Sequence, residues 1–195
     1  MSYGPEHKPK THARIVDVAS RLFRTDGMHA TGIDRLMAEA GLTRGGFYAH
    51  FDSKAALFSE ALRAGLVEAR DKLMSRGLEK LAGNAWIRAA TRRYLAPEHR
   101  DNPAGCVVPT LAAEVARAPD EVRSTFNESI GEILGEMAER SGRTRDEATA
   151  MLAMWVGAMT LARAMNDEAE AKRVLEACKA HMHQAFGLDE DPSAS

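Results

Sequence analysis

A chain of 195 residues with net charge −2, 45% hydrophobic and 28% charged residues has the composition of a globular protein with a real core. That balance excludes a disordered polyelectrolyte and a nucleic-acid binder working through bulk positive charge. Two cysteines, Cys106 and Cys178, exclude a disulfide framework and make a reducing cytosol the default compartment.

Residues 1–10 are polar, with Gly4, Pro5 and Pro9, and read as a flexible arm with no secretory signal. A first helix is expected over 11–25, its apolar stripe made by Ile15, Val18, Ala19, Leu22 and Phe23 and its end marked by Gly27. Residues 31–51, TGIDRLMAEAGLTRGGFYAHF, read as two short helices joined by a tight turn. In the first, 33–40, Ile33, Leu36, Met37 and Ala40 recur at helical spacing. Gly41 then offers the left-handed residue that ends a helix. Thr43 is placed to cap the second helix, and Phe47 and Phe51 give it a buried side.

The exposed side of that second helix breaks the stability rules. Two glycines follow Arg44, and each costs about 1 kcal/mol against alanine inside a helix. Such a breach is expected where function demands it. Glycines beside an arginine at a helix start let a partner's backbone approach closely. DNA fits, because helix N-termini favour phosphates and Arg reads guanine edges. Tyr48, His50 and Lys54 crowd the same surface. A tight glycine-containing turn before such a helix is the helix-turn-helix arrangement.

Ser53 caps a fourth helix expected to run from Lys54 to about Leu81. Leu57, Ala61 and Leu62 are assigned to the first core, and Leu66, Leu73 and Leu78 to a second. Gly83 and Asn84 interrupt, a helix follows over 86–95, and 96–105 reads as a polar loop. Helices are then expected over 106–118, 122–140, 144–165 and 168–186, with Pro119 as a stop and restart. The helix over 144–165 is apolar nearly all round, so both faces need cover. Its richest run, 150–162, is too short to span a bilayer. Residues 188–195 read as an acidic, flexible end. The fold class is therefore all-α, a three-helix domain with a helix-turn-helix followed by a helical bundle.

The run over 15–66, AxxLF…GxxxTGIDxLMxxAGLTRGGFYxHFxSKxALFxxAL, resembles the DNA-binding domain of the TetR family of bacterial transcriptional regulators. The resemblance implies a DNA-binding domain over 9–69, with its helix-turn-helix at about 32–51, and an effector-binding and dimerisation domain over 75–188. It implies that Arg44, Gly45 and Gly46 face bases while Thr31, Thr43, Tyr48 and Lys54 hold phosphates, with His50 beside them. It further implies a homodimer through the last two helices, a pseudo-palindromic double-stranded operator, an unknown small-molecule effector and a bacterial cytoplasmic location. Residues 1–75 carry 11 Lys and Arg against 9 Asp and Glu, and the remainder 15 against 19, which allows a DNA-facing first part.

Candidate effector-lining residues are Cys106, Met151, Trp155 and Met159. Cys106 follows Gly105 at a helix start, where the dipole favours thiolate. GCVVPTLAAEVARAPDEVRSTF also resembles a TetR-family subgroup, some members of which sense electrophiles or oxidants through a cysteine here. A thiol-sensing repressor is thus one alternative, and a helical ligand-binding protein without DNA function is another. Cys178 and His181 share a helical face but His183 does not, so no metal site is expected. No cofactor or enzyme motif is found, and Glu114 and Arg117 read as an ion pair three residues apart.

Overall fold

The computed structural model describes residues 7–102 and 105–188, which divide into two compact units. The first contains residues up to 68 together with 106–129, and the second contains 69–105 and 130 onward.

In the first unit α1 (His7–Asp26) starts four residues earlier than the apolar stripe requires, so Lys8 and Lys10 are helical rather than part of an arm. Residues 1–6 lie outside the described residues. Ile15, Val18, Ala19, Leu22 and Phe23 are buried as the spacing demands. Gly27 then turns the chain at φ +85°. The next helix, α2 (Ile33–Glu39), buries Leu36 and Met37. Gly41 ends it at φ +66°, its amide donating to Ala38 at 2.9 Å and that of Leu42 to Met37 at 2.8 Å. That pair of bonds is the Schellman arrangement, which satisfies the last carbonyls and aims the chain sharply onward.

Residues Arg44–Ala49 form a 3₁₀ turn rather than the expected α-helix. Thr43 occupies the cap position in extended conformation, yet its side chain makes no capping bond. With two glycines and no cap, little favours the wider helix, and burial of Phe47 and Phe51 holds the segment. Ser53 does cap α3 (Lys54–Arg70), accepting the Ala56 amide at 2.9 Å. Phe23 and Phe58 meet edge to face, centroids 5.2 Å apart.

Two further elements join this unit, α6 (Val107–Val115) and the first part of α7 (Asp120–Ser141). A Cβ on Gly65 would stand 2.7 Å from Val107 Cγ2, so the glycine is what lets α3 and α6 approach. Leu66 also belongs here and not to a second core. Periodicity named the inward residues of 106–129 but not which core they enter.

The second unit begins where α3 loses its pitch. The helix expected to reach residue 81 stops at Arg70 and widens into a π-turn, Asp71–Ser75. The Trp86 indole N–H takes the Met74 carbonyl at 3.0 Å, and the Arg93 guanidinium donates to the Lys72 carbonyl at 3.1 Å. Acceptors of a continuing helix are thus taken by side chains of α4 (Gly83–Tyr94). Leu73 and Leu78 are buried in this unit, as expected. The segment read as a polar loop holds a one-turn helix, α5 (Pro97–Arg100), with proline in its first turn.

Thr144 and Glu147 close a capping box on α8 (Arg145–Ala164). Asp167 caps α9 (Glu168–Phe186), and Gly187 ends it at φ +60°. The two helices pack along each other. One face of α8 is buried, through Ala148, Met151, Leu152, Trp155 and Met159. The other, with Ala150, Ala153 and Gly157, is open in this chain, and Leu161 is 56% exposed. Among the described residues, no helix is long and apolar enough to cross a membrane.

Candidate nucleic-acid interface

The 3₁₀ turn is anchored from below and bare above. Phe47 is fully buried, and its ring lies 5.7 Å from Phe51 and 5.2 Å edge-on from Tyr48. Tyr48 itself is 65% exposed, so its ring is offered outward and not to the core. Thr43, Arg44 and Gly45 are exposed beside it, with Gly46 half-buried. Both glycines have ordinary negative φ. A Cβ on Gly45 would meet nothing within 4 Å, and one on Gly46 only Met37 Cε at 3.6 Å. Nothing among the described residues therefore asks for glycine at either position.

Arg44 Nη1 donates to Asp34 Oδ2 at 2.9 Å, with both side chains about two-thirds exposed. An exposed pair of this kind contributes about 0–1 kcal/mol. It positions the guanidinium beside the turn without neutralising it against a stronger anion. Such a ridge presents backbone, a planar cation and hydroxyl groups outward, the groups that hold phosphates and read base edges.

Two of the expected contacts are altered by the structure. Thr31 is fully buried and its hydroxyl donates to the Gly27 carbonyl at 2.8 Å, so its side chain fastens the turn between α1 and α2 and is not offered to a phosphate. His50 is half-buried, its ring 5.9 Å from His12 and 6.3 Å from Phe51, against the inner side of the motif. Lys54 is half-buried at the start of α3. Partial burial lowers its ammonium pKa, opposed by the nearby Glu114 carboxylate.

Glu114 is the residue that sequence reasoning misread. It pairs not with Arg117, whose guanidinium reaches the Ala113 carbonyl, but with the α1–α2 turn. Its Oε2 accepts the Met28 amide at 2.8 Å, the His29 amide at 3.3 Å and lies 3.1 Å from His29 Nδ1. A carboxylate from α6 thus clasps the turn that leads into the helix-turn-helix. The only local signal was a charge flanked by the inward Leu111 and Val115, and that carries no partner.

Of the effector candidates, Met151, Trp155 and Met159 are fully buried in the second unit. Trp155 stacks on Tyr94, centroids 5.2 Å apart, and its indole N–H has no hydrogen-bond partner among the described residues. Tyr94 also meets His99 edge-on at 4.8 Å, while His99 Nδ1 lies 2.6 Å from the Tyr94 carbonyl. Cys106 belongs to the first unit, at the cap position of α6, and is 6% exposed. A redox-sensing thiol needs access as well as a low pKa, and burial withholds it. Cys178 Sγ points to the Met154 carbonyl at 3.6 Å, and burial pushes its thiol pKa up.

Comparison with known proteins places this geometry. The profile described as "Bacterial regulatory proteins, tetR family" matches residues 15–61. The HTH-type transcriptional regulator YfiR of Bacillus subtilis is 32% identical over 90 residues, 46% of this chain and 42% of that protein. The chain thus aligns with under half of that relative's length. The HTH-type regulator LmrA of the same organism is 26% identical over 173 residues, 83% of this chain and 88% of its own. In fold, the structure matches reduced Escherichia coli NemR at a TM-score of 0.70, covering 90% of this chain and 96% of that one at 21% identity. The helix-turn-helix with its bare glycine ridge thus lies within residues 15–61, the part of this chain that matches the tetR family of bacterial regulatory proteins.

Proposed function

We infer that this chain is a DNA-binding transcriptional regulator, acting as a homodimeric repressor in the bacterial cytoplasm. The observation that carries the reading is the outward ridge of Thr43, Arg44, Gly45, Gly46 and Tyr48, with no internal use for its glycines among the described residues. Residues 9–69 are the DNA-binding domain. Arg44 exchanges Asp34 for a guanine edge, the glycines admit the DNA closely, and Thr43, Tyr48 and Lys54 hold phosphates that set register. Two such ridges in a dimer read the halves of a pseudo-palindrome one helical turn apart.

The open stripe of α8, with Leu161 at its end, supports a dimer contact shared with α9, because an exposed apolar stripe on a helix marks an interaction surface. Residues 75–188 carry effector binding and dimerisation, and the effector is a small apolar or amphipathic molecule admitted beside Met151, Trp155 and Met159. The unpartnered Trp155 indole N–H supports that placement, since such a group left bare costs about 1–3 kcal/mol. Regulation is a population shift toward a state whose ridges are wrongly spaced for DNA, and it requires the effector to bind that state more tightly. The relatives are named as transcriptional regulators.

The test is recovery of random genomic fragments by the purified protein, repeated with Arg44→Ala. Enrichment of one pseudo-palindrome, lost in the variant, is expected. Absence of any enrichment at low and moderate salt, or enrichment unchanged by the variant, refutes the reading.

A further inference from the structure

Helices α4 and α9 pack against each other within the second unit, and a groove of about 690 Å³ runs along their junction. Its volume falls in the range that holds small organic ligands, roughly 300–1,000 Å³. The floor is made by small residues, Ala85 and Ala89 from α4 and Ala180 from α9. Ala85 and Ala89 stand one turn apart on α4, and Ala180 faces them from α9, so the floor is apolar. Thr91 also lines it. The Thr91 side chain is 1% exposed, and its hydroxyl has no hydrogen-bond partner among the described residues. Inside a helix a threonine hydroxyl ordinarily returns to the carbonyl one turn back, as Thr149 and Thr160 do here. Thr91 leaves its hydroxyl without any such bond.

The walls are cationic. Arg88, Arg92 and Lys179 line the groove against a single carboxylate, Glu176, which already pairs with Lys179 at 2.9 Å. Arg88 gives one N–H to the Leu188 carbonyl, a neutral acceptor, and forms no ion pair with any described residue. Arg92 makes no ion pair or hydrogen bond with any described residue. His183 completes the α9 wall. An apolar floor, a buried unpartnered hydroxyl and an excess of two positive charges are complementary to one chemical class.

We propose that the α4–α9 groove binds an amphipathic organic monoanion, a carboxylate with an apolar tail. The tail lies on the alanine floor and the carboxylate meets Arg92 and Arg88, with Thr91 donating to it. This site is separate from the interior beside Trp155, and it stands whether or not the chain binds DNA. The test is calorimetric titration of the full-length protein with octanoate, and with octylamine at matched ionic strength. Saturable binding of octanoate at one site per chain is expected, with none of octylamine. Arg92→Glu, a change on an exposed side chain, should weaken octanoate tenfold or more, and Ala89→Leu should do the same by filling the floor. Absence of saturable octanoate binding overturns the proposal. So does an affinity unchanged in both variants, which puts the ligand elsewhere, and so does octylamine binding equally well, which removes the charge recognition.

Discussion

Replacing both glycines of the ridge separates what the fold needs from what a partner needs. Gly45 and Gly46 sit at negative φ, and an added methyl meets open space at the first and ordinary contact with Met37 at 3.6 Å at the second. Neither change strains the folded state, and each removes freedom from the unfolded chain, a gain of about 0.4–1 kcal/mol per site. For the double variant Gly45→Ala, Gly46→Ala the sum is roughly 1–2 kcal/mol, and at about 2–4 °C per kcal/mol for a chain of this size the melting temperature should rise by about 2–8 °C. DNA binding should move the other way. If the helix backbone approaches the duplex, the two methyl groups stand where phosphate or base edges must come, and affinity for the selected operator should fall by roughly tenfold or more, about 1.4 kcal/mol. Thermal unfolding and operator binding would be measured on the same preparation at fixed salt. A lower melting temperature refutes the claim that the glycines have no internal role. A stabilised variant that binds its operator as tightly as the parent refutes the close approach itself.

Other consequences follow from single contacts. Glu114→Ala removes the clasp on the α1–α2 turn. The Met28 amide bond dominates, the exposed His29 ring adds little, and a loss of about 2 kcal/mol is expected, seen as a fall of about 4–8 °C in melting temperature. No change would mean that the carboxylate merely rests on the turn. His99 is held neutral chiefly by burial, and the nearby Arg163 charge also lowers its pKa against the Tyr94 carbonyl that raises it. The unfolded chain therefore takes up this proton first, and stability should be lost as pH falls through about 6.5, the ordinary histidine value. His99→Gln should reduce the drop in melting temperature between pH 7.5 and 5.5, and an identical drop would exclude His99 as its source. Leu161→Glu puts a charge on the open face of α8. Sedimentation should then show a monomer with its helix content retained, and an unchanged dimer would move the subunit contact elsewhere.

Much of the architecture could be read from the order of residues because helices announce themselves locally. Ile15 to Phe23, and Leu36 with Met37, are buried where a 3.6-residue period puts them. Gly27, Gly41 and Gly187 end helices at positive φ, and Ser53 and Thr144 begin them with side-chain caps. The ridge was legible for a different reason. Arg44-Gly45-Gly46 violates helix propensity, and a violation without an internal cause points outward.

What the chain order could not contain was the identity of partners far away in sequence. Glu114 sits 86 residues from Met28, and only folding brings that carboxylate to the turn it clasps. Trp86 reaches back to Met74 and helps end α3 in a π-turn, where apolar periodicity alone would have carried the helix onward. Thr31 has the residue type of a phosphate contact, yet its hydroxyl is already engaged with Gly27 and sealed from solvent. Residues 106–129 present a helical apolar face that fits either core, and the close approach of Val107 at Gly65 is what places them in the first unit. Local chemistry determined which residues turn inward, because propensity and periodicity act over a few residues. Tertiary structure decided what they meet there, because burial and hydrogen bonding act between whatever the fold brings together.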